Sequence, residues 1–255
     1  MALDFQSVSK RFPTKQGSLL AVSNVSFRVE EGEFVAVVGP SGCGKSTILS
    51  MTAGLYLPSE GTVTVSGTQV TGPNAHVGFM LQKDLLLPWR SIQANVEFGL
   101  EARGVPAAAR RRRAEAELAH CQLDGFGEHF PYQLSGGMRQ RAALARTLAI
   151  DPEIILLDEP FSALDAQTKL LLQNSFARTI AETGKTTLLI THDLAEAVLM
   201  SDRILVLSER PGRIIAEIRI ALPHRDQPIK RRVMPEVSAY AAELFRHLRL
   251  EERAL

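Results

Sequence analysis

The spacing of hydrophobic positions predicts an α/β protein with a buried parallel sheet. Four short runs are almost entirely apolar, and segments of helical character separate them; the runs lie at 34–38, 154–157, 187–190 and 204–207. Strands with apolar side chains on both faces are typical of a parallel sheet that helices cover on each side. These four runs therefore predict the centre of the fold.

The segments around this core follow other patterns. Segments 3–12, 20–29 and 61–67 show the alternation of exposed strands and predict an N-terminal antiparallel β-subdomain. From about 91 to 149 the pattern changes to helices at 93–102, 107–121 and 138–150, which predicts an inserted helical subdomain. After Pro223 the chain is basic and polar, until Val237, Ala241, Leu244 and Leu248 mark one face of a C-terminal helix. We therefore divide the chain into a domain at 1–222 and an extension at 223–255.

A glycine-rich segment between the first buried run and a helical segment predicts a phosphate-binding loop. It consists of Gly39, Pro40, Ser41, Gly42, Cys43, Gly44, Lys45, Ser46 and Thr47. Glycines let backbone N–H groups turn towards phosphate oxygens, and the helix that follows points its positive end at the same anion. Lys45 can reach the β- and γ-phosphates of a nucleotide, and the Ser46 hydroxyl can bind Mg²⁺. An ordinary glycine-rich turn does not explain Lys-Ser at this position.

Two carboxylates end the run at 154–157. Asp158 is placed to hold Mg²⁺, directly or through water, since ligands bind at this edge of α/β sheets. Glu159 can point to another side and act as general base on an attacking water. Alone, such a pair is often only a charged exit from the core, but the phosphate loop favours the catalytic interpretation.

A second anion-binding helix start is predicted at Ser135-Gly136-Gly137. A helix cap needs only the serine, so two further glycines imply that something approaches the backbone closely. Because one loop already wraps the nucleotide, a second phosphate-binding element suggests a site closed between two chains.

Composition limits the remaining possibilities. The formal net charge of +1, over 255 residues, gives no global basic field, so we expect no nucleic-acid partner. The two cysteines suggest no disulfide framework, and a reduced intracellular setting is expected. The start predicts no signal peptide, and no segment approaches a membrane span of about 18 apolar residues. The basic run 110–113 is interpreted as a solvated helix face, with contact to acidic lipid or a partner as the alternative.

The order of these segments resembles the ATP-binding subunit of an ABC (ATP-binding-cassette) transporter over nearly the whole chain. Two further segments match, namely Ser162-Ala163-Leu164-Asp165 (the D-loop) and Thr191-His192-Asp193. The resemblance implies a P-loop NTPase (RecA-like) core, ATP and Mg²⁺ as cofactors, and ATP hydrolysis coupled to transport. It also implies that Phe12 stacks on adenine, where the family often has Tyr, and that Met138 stands where Gln is usual.

The resemblance assigns further roles. Gln82 would touch Mg²⁺ or the lytic water, His192 would contact the γ-phosphate, and Asp165 would join the nucleotide site. Segments 85–90, 95–100 and 210–214 resemble the nitrate, sulfonate and taurine importers. The implied partners are a second copy of the chain, two transmembrane permease subunits and, indirectly, a periplasmic solute-binding protein, which places the chain on the cytoplasmic face of the inner membrane. The apolar segment 85–89 is the candidate dock for a permease helix; alternatively, it packs on its own domain.

Other classes remain as alternatives. A soluble ATP-driven clamp in DNA repair or translation usually carries a long coiled-coil insertion or two fused cassettes, and this sequence has neither. A monomeric P-loop kinase or GTPase has no need of the second anion site. A regulatory module without hydrolysis would not require Glu159.

Overall fold

Two β-sheets and two groups of helices form the part of the chain that the computed structural model describes, residues 1–15, 17–162 and 164–248. In chain order the elements are β1 (Leu3–Thr14), β2 (Gly17–Val29), β3 (Phe34–Val38), α1 (Lys45–Thr52), β4 (Glu60–Val65), β5 (Thr68–Gln69), β6 (Val77–Met80), α2 (Ile92–Ala102), α3 (Ala107–His120), α4 (Gly136–Ala149), β7 (Ile154–Asp158), α5 (Ala166–Thr183), β8 (Thr186–Ile190), α6 (Leu194–Met200), β9 (Arg203–Leu207), β10 (Ile214–Arg219), α7 (Pro228–Arg232) and α8 (Glu236–His247).

The N-terminal strands form an antiparallel sheet in the order β2-β1-β4-β5. Phe5 pairs with Phe27 on β2 and with Val63 on β4, so β1 lies between these two strands. The predicted strand at 61–67 is shorter at its end than expected, since β4 stops at Val65 and the chain turns into β5. This sheet packs its apolar side chains against one face of the larger sheet.

The larger sheet has the order β10-β9-β3-β8-β7-β6 and contains all four predicted buried runs. The strands from β9 to β6 are parallel to one another, whereas β10 is antiparallel to β9 because only a short turn joins these two strands. Along β3, Val35 and Val37 face the N-terminal sheet, and Ala36 and Val38 face the helices. The sheet is therefore buried on both faces, as predicted.

Helices α2, α3 and α4 form the inserted helical layer. Helix α4 begins at Gly136, two residues before the predicted start, because the Ser135 side chain caps it. Within the run 110–113, which the sequence predicts as a solvated helix face, Arg111 and Arg112 are exposed, and Arg110 and Arg113 are partly exposed and form ion pairs. Arg110 bonds Glu97 at 2.9 Å and Arg113 bonds the buried Glu117 at 3.1 Å. Residues three apart share one helix face; Arg110 pairs across to α2, whereas Arg113 pairs within α3 with Glu117, four residues on.

The C-terminal helices pack on α6. The predicted apolar face is confirmed at Val237, Leu244 and Leu248, which are buried in the same core as the central sheet. Arg231 of α7 is 1% exposed and donates to the carbonyls that end α6. The predicted extension reaches residue 255, and its part at 249–255 lies outside the described residues. Within the described residues no helix is both long and apolar enough to cross a membrane.

Candidate nucleotide-binding site

The phosphate loop connects the end of β3 to the start of α1. Gly44 precedes the helix with φ 107°, and a Cβ there would lie 2.5 Å from Val22 Cγ1, so only glycine fits. Lys45 Nζ donates to the carbonyls of Gly39 and Pro40 at 2.8 and 2.9 Å, which holds the ammonium group inside the loop. The loop therefore places a cation and a helix N-terminus around one point.

One cavity of about 350 Å³ brings Phe12 together with six residues of the phosphate loop. Its lining includes Phe12, Ser41, Gly42, Gly44, Lys45, Ser46, Thr47 and Glu159. The Phe12 ring packs edge-to-face against Tyr56 with 5.2 Å between the ring centroids. Cys43 is buried, and burial raises the pKa of its thiol, so this position offers a ligand its backbone and not a thiolate.

The Ser46 hydroxyl and Asp158 lie together at the start of α1. Ser46 Oγ donates to Asp158 Oδ1 at 3.3 Å. Burial raises the pKa of Asp158, and the adjacent Glu159 charge adds to the rise, whereas the Ser46 hydrogen bond opposes it. A nearby cation would stabilise the ionised form of a carboxyl group in such surroundings. Two hard oxygen donors fit Mg²⁺, which usually takes one or two protein ligands besides phosphate oxygens and water.

Glu159 follows β7 in a strained conformation that the fold maintains. Its φ is 48°, a region that costs a non-glycine residue on the order of 1–3 kcal/mol. The strain is offset because Glu159 N–H donates to Ile190 O at 2.9 Å, which ties the residue to β8. The same geometry brings Glu159 Oε2 to 3.1 Å from His192 Nδ1. The predicted base and the predicted γ-phosphate contact are therefore neighbours.

Gln82 reaches Glu159 through Ser162. Gln82 Nε2 donates to Ser162 Oγ at 2.9 Å, and Ser162 Oγ donates to Glu159 O at 3.0 Å. Gln140 of α4 donates to Gln82 O at 3.2 Å. Gln82 is not in the lining of the nucleotide cavity, but these bonds connect it to the Glu159 backbone and to α4, the helix that starts after Ser135.

None of Ser135, Gly136 and Gly137 lines the nucleotide cavity of its own chain. Ser135 and Gly137 line a different cavity of about 420 Å³. A Cβ on Gly136 would meet nothing nearer than 3.8 Å, so packing within the chain does not require glycine there. The Asp165 carboxylate caps α5 by accepting from Thr168 N–H at 3.0 Å. This hydrogen bond from the backbone lowers the pKa of the Asp165 carboxyl. Its neighbour Ala163 in the predicted D-loop lies outside the described residues.

Sequence reasoning missed two features near the site. Arg210 lines the nucleotide cavity from the turn between β9 and β10. Lys169 of α5 bonds Asp193 and the buried Glu196 at 2.8 and 2.9 Å, beside His192. Arg210 lies in segment 210–214, where the sequence showed a resemblance to importers but no sign of a site residue. The Lys169 contacts join residues 24 or more positions apart, and no local pattern indicates such a pairing.

A RecA-like sheet with a phosphate loop after one strand and Asp-Glu at the end of another defines a P-loop NTPase. The model of the ABC transporter family matches residues 22–162, and the chain belongs to this family. A nitrate import ATP-binding protein from Synechocystis sp. is 42% identical over 257 residues, which cover 99% of this chain and 97% of that protein. A taurine import ATP-binding protein from Burkholderia thailandensis is 48% identical over 209 residues, which cover 82% of this chain and 80% of that protein.

Solved structures agree with these relatives. The post-hydrolysis dimer of the ATP-binding cassette MJ0796, bound to ADP and Pi, is 33% identical, has a TM-score of 0.74, and covers 86% of this chain and 99% of its own. The predicted fold and the prediction of an ATP-hydrolysing subunit of an ABC importer are confirmed. The clamp in DNA repair or translation is not favoured.

Proposed function

We propose that this chain binds MgATP between two of its own copies and uses the binding and hydrolysis of ATP to move two permease subunits of an importer. The observation that carries the proposal is that the two anion-binding elements of one chain line different cavities. Lys45 lies in one cavity, and Ser135 lines another. Two copies placed head to tail would bring the Ser135 helix start of one onto the nucleotide held by the other; that a related cassette, MJ0796, forms a dimer supports pairing of two copies.

Within each site the residues divide the work of phosphoryl transfer. The phosphate loop and Lys45 hold the tail, Phe12 stacks on the adenine, and Ser46 with Asp158 holds Mg²⁺, near which Gln82 acts. Bound there, Mg²⁺ neutralises charge on the phosphate oxygens. Glu159 Oε1 or Oε2 accepts the proton of the attacking water, and His192 keeps that carboxylate oriented through its 3.1 Å contact.

The permease dock is proposed at 85–89, close in the chain to Gln82 and its hydrogen bonds. Leu85 and Trp89 are 52% and 72% exposed, an unusual exposure for such large apolar side chains. Arg146 donates to the carbonyls of Asp84 and Leu85 at 2.6 and 2.8 Å, which fastens this segment to α4. A permease helix pressing here would therefore act on α4, whose first turn is the Ser135 helix start.

Gln140 and Gln82 complete the connection from the dock to the catalytic strand. Helix α4 contacts Gln82 through Gln140, and Gln82 contacts Glu159 through Ser162. A docking event at Leu85, whose carbonyl accepts from Arg146, would thus reach both parts of the site through hydrogen bonds. The division into a domain at 1–222 and an extension at 223–255 is part of the proposal.

Size measurements on the purified chain test the shared site. We expect Glu159→Gln to retain ATP and to elute as a dimer with MgATP, because the ATP is not consumed. Adding Ser135→Arg should return it to a monomer that still binds ATP, since the arginine blocks the partner's phosphate and not the phosphate loop. Ser238→Arg on the exposed face of α8 is the control, and the dimer should persist. A dimer that survives Ser135→Arg would contradict the shared site.

The transported solute is proposed to be a small anionic or organic compound of the nitrate, sulfonate or taurine type, delivered by a periplasmic binding protein. This proposal for the solute is supported by the similarity of the chain to nitrate and taurine import ATP-binding proteins. The chain would then lie at the cytoplasmic face of the inner membrane, held by its permease. Uptake of labelled nitrate, taurine and alkanesulfonates in a deletion strain tests the solute. If the deletion strain takes up all of these compounds as well as the wild type does, solutes of the nitrate, sulfonate and taurine type are excluded.

A further inference from the structure

The turn between β9 and β10 lies directly against the phosphate loop. Gly212 N–H donates to Ala21 O at 2.9 Å, and Gly212 O accepts from Ser23 N–H at 3.0 Å. A Cβ on Gly212 would lie 2.1 Å from Cys43 O, so only glycine allows this approach. The turn is therefore fixed against both β2 and the loop.

This placement brings Arg210 to the rim of the nucleotide cavity. Arg210 Nε donates to Gly42 O at 3.1 Å, and Nη2 lies 3.1 Å from the point where a Cβ on Gly42 would be. Arg210 lines the same cavity as Lys45 and Phe12. Only Nε is used in the Gly42 bond, which leaves the two terminal amino groups available to a ligand.

The charges around the cavity favour an anionic ligand at Arg210. Of the described residues that line the cavity, Lys45 and Arg210 are basic and Glu159 is acidic. Among residues 1–15, 17–162 and 164–248, no ion pair engages Arg210, whereas Arg203 at the start of β9 pairs with Glu33 and Glu217. An arginine held at a cavity rim by a backbone carbonyl keeps its full charge for the cavity.

We propose that Arg210 binds the phosphate tail of the nucleotide as a second cation beside Lys45. The proposal rests on the nucleotide site proposed above. The guanidinium approaches from the Gly42 side of the loop, while Lys45 lies over Gly39 and Pro40, so the two cations flank the tail. The turn that carries Arg210 also supports the loop at Cys43, so one segment both shapes the loop and adds charge to it.

Affinity for a fluorescent ADP analogue, measured on the dilute full-length chain, tests this role without dimer formation or turnover. Arg210→Gln keeps an N–H donor for Gly42 O but removes the charge. We expect it to weaken binding roughly tenfold, near the lower end of the range for a lost hydrogen bond to a charged group. Arg210→Lys should weaken binding less. The wild-type affinity should fall more steeply with NaCl than that of Arg210→Gln, because one of two cations is missing.

Arg213→Gln is the matched control, since Arg213 lies in the same connection but lines a different cavity with Ser23 and Asn24. It should bind the ADP analogue as the wild type does. Unchanged affinity and unchanged salt dependence in Arg210→Gln would overturn the proposal, as would an equal loss in Arg213→Gln. The proposed nucleotide site fails separately: if Lys45→Ala binds the analogue as well as wild type does, both proposals are wrong.

Discussion

Replacing Arg231 by methionine should strongly destabilise the protein. The guanidinium donates from Nη1 to the carbonyls of Val198, Leu199 and Ser201 at 2.9–3.1 Å. Two further bonds reach Pro223 O at 3.1 Å and Leu222 O at 2.5 Å. One side chain thus joins the end of α6 to the segment that leads into α7.

The size of the effect follows from what the substitution leaves behind. Methionine fills much of the volume but donates no hydrogen bond, and the acceptors are backbone carbonyls that no side-chain change can remove. Each unsatisfied buried group costs about 1–3 kcal/mol. Burial lowers the pKa of Arg231, which reflects the cost of placing the charge there, and its removal offsets part of the loss. We expect a net destabilisation of about 3–5 kcal/mol.

Thermal unfolding followed by circular dichroism measures this effect. At roughly 2–4 °C per kcal/mol for a chain of this size, Arg231→Met should lower the Tm by about 6–20 °C. Arg232→Met, at the exposed neighbouring position, removes the same charge and should leave the Tm nearly unchanged. Equal melting temperatures for the two variants would refute the reasoning. Helix α6 begins just after His192, so Arg231→Met should also lower ATP turnover below the melting range.

Three further predictions concern the site and the core. Glu159→Gln should slow ATP hydrolysis by about 10²–10⁴-fold while ADP affinity stays unchanged, as expected for a general base, and hydrolysis at the wild-type rate would remove Glu159 from that role. Lys169→Met should lower kcat more than nucleotide affinity, because Lys169 holds Asp193 beside His192; Lys169→Arg should restore much of the rate, and an equal loss in both would argue against an ionic role. Burial raises the pKa of Cys121 to about 12, so at pH 8 its thiol stays protonated and iodoacetamide should modify it only after unfolding; rapid modification of the native chain would contradict this burial.

Much of the fold could be predicted because its signals are local. Buried parallel strands are short and apolar throughout, and the phosphate loop has a fixed spacing between a strand and a helix. Element ends were less predictable. Apolar periodicity places the start of α4 at residue 138, whereas the helix begins at Gly136, where the Ser135 cap accepts a hydrogen bond from Met138 N–H; the Ser-Gly-Gly segment, and not the periodicity, indicates this start. Similarly, Arg110 and Arg113 read as surface charge until their partners Glu97 and Glu117 are known.

The contacts around the candidate site show the same limit. Gly39–Thr47 could be named from spacing, whereas the approach of Arg210 depends on a turn 168 residues from Gly42 in the chain. The Lys169 contacts with Asp193 and Glu196 likewise need α5 and α6 to be packed. Long-range pairings of polar side chains follow from the finished fold, so a single sequence gives no direct signal for them.

The central claim is that one nucleotide is bound by two copies of the chain. A structure of Glu159→Gln grown with MgATP tests it most directly. We predict that the γ-phosphate lies within hydrogen-bond distance of Lys45 Nζ in one copy and of the Ser135 hydroxyl in the other, with two such sites in each dimer. A triphosphate that contacts a single copy, with Ser135 of every neighbouring copy far from it, would contradict the account.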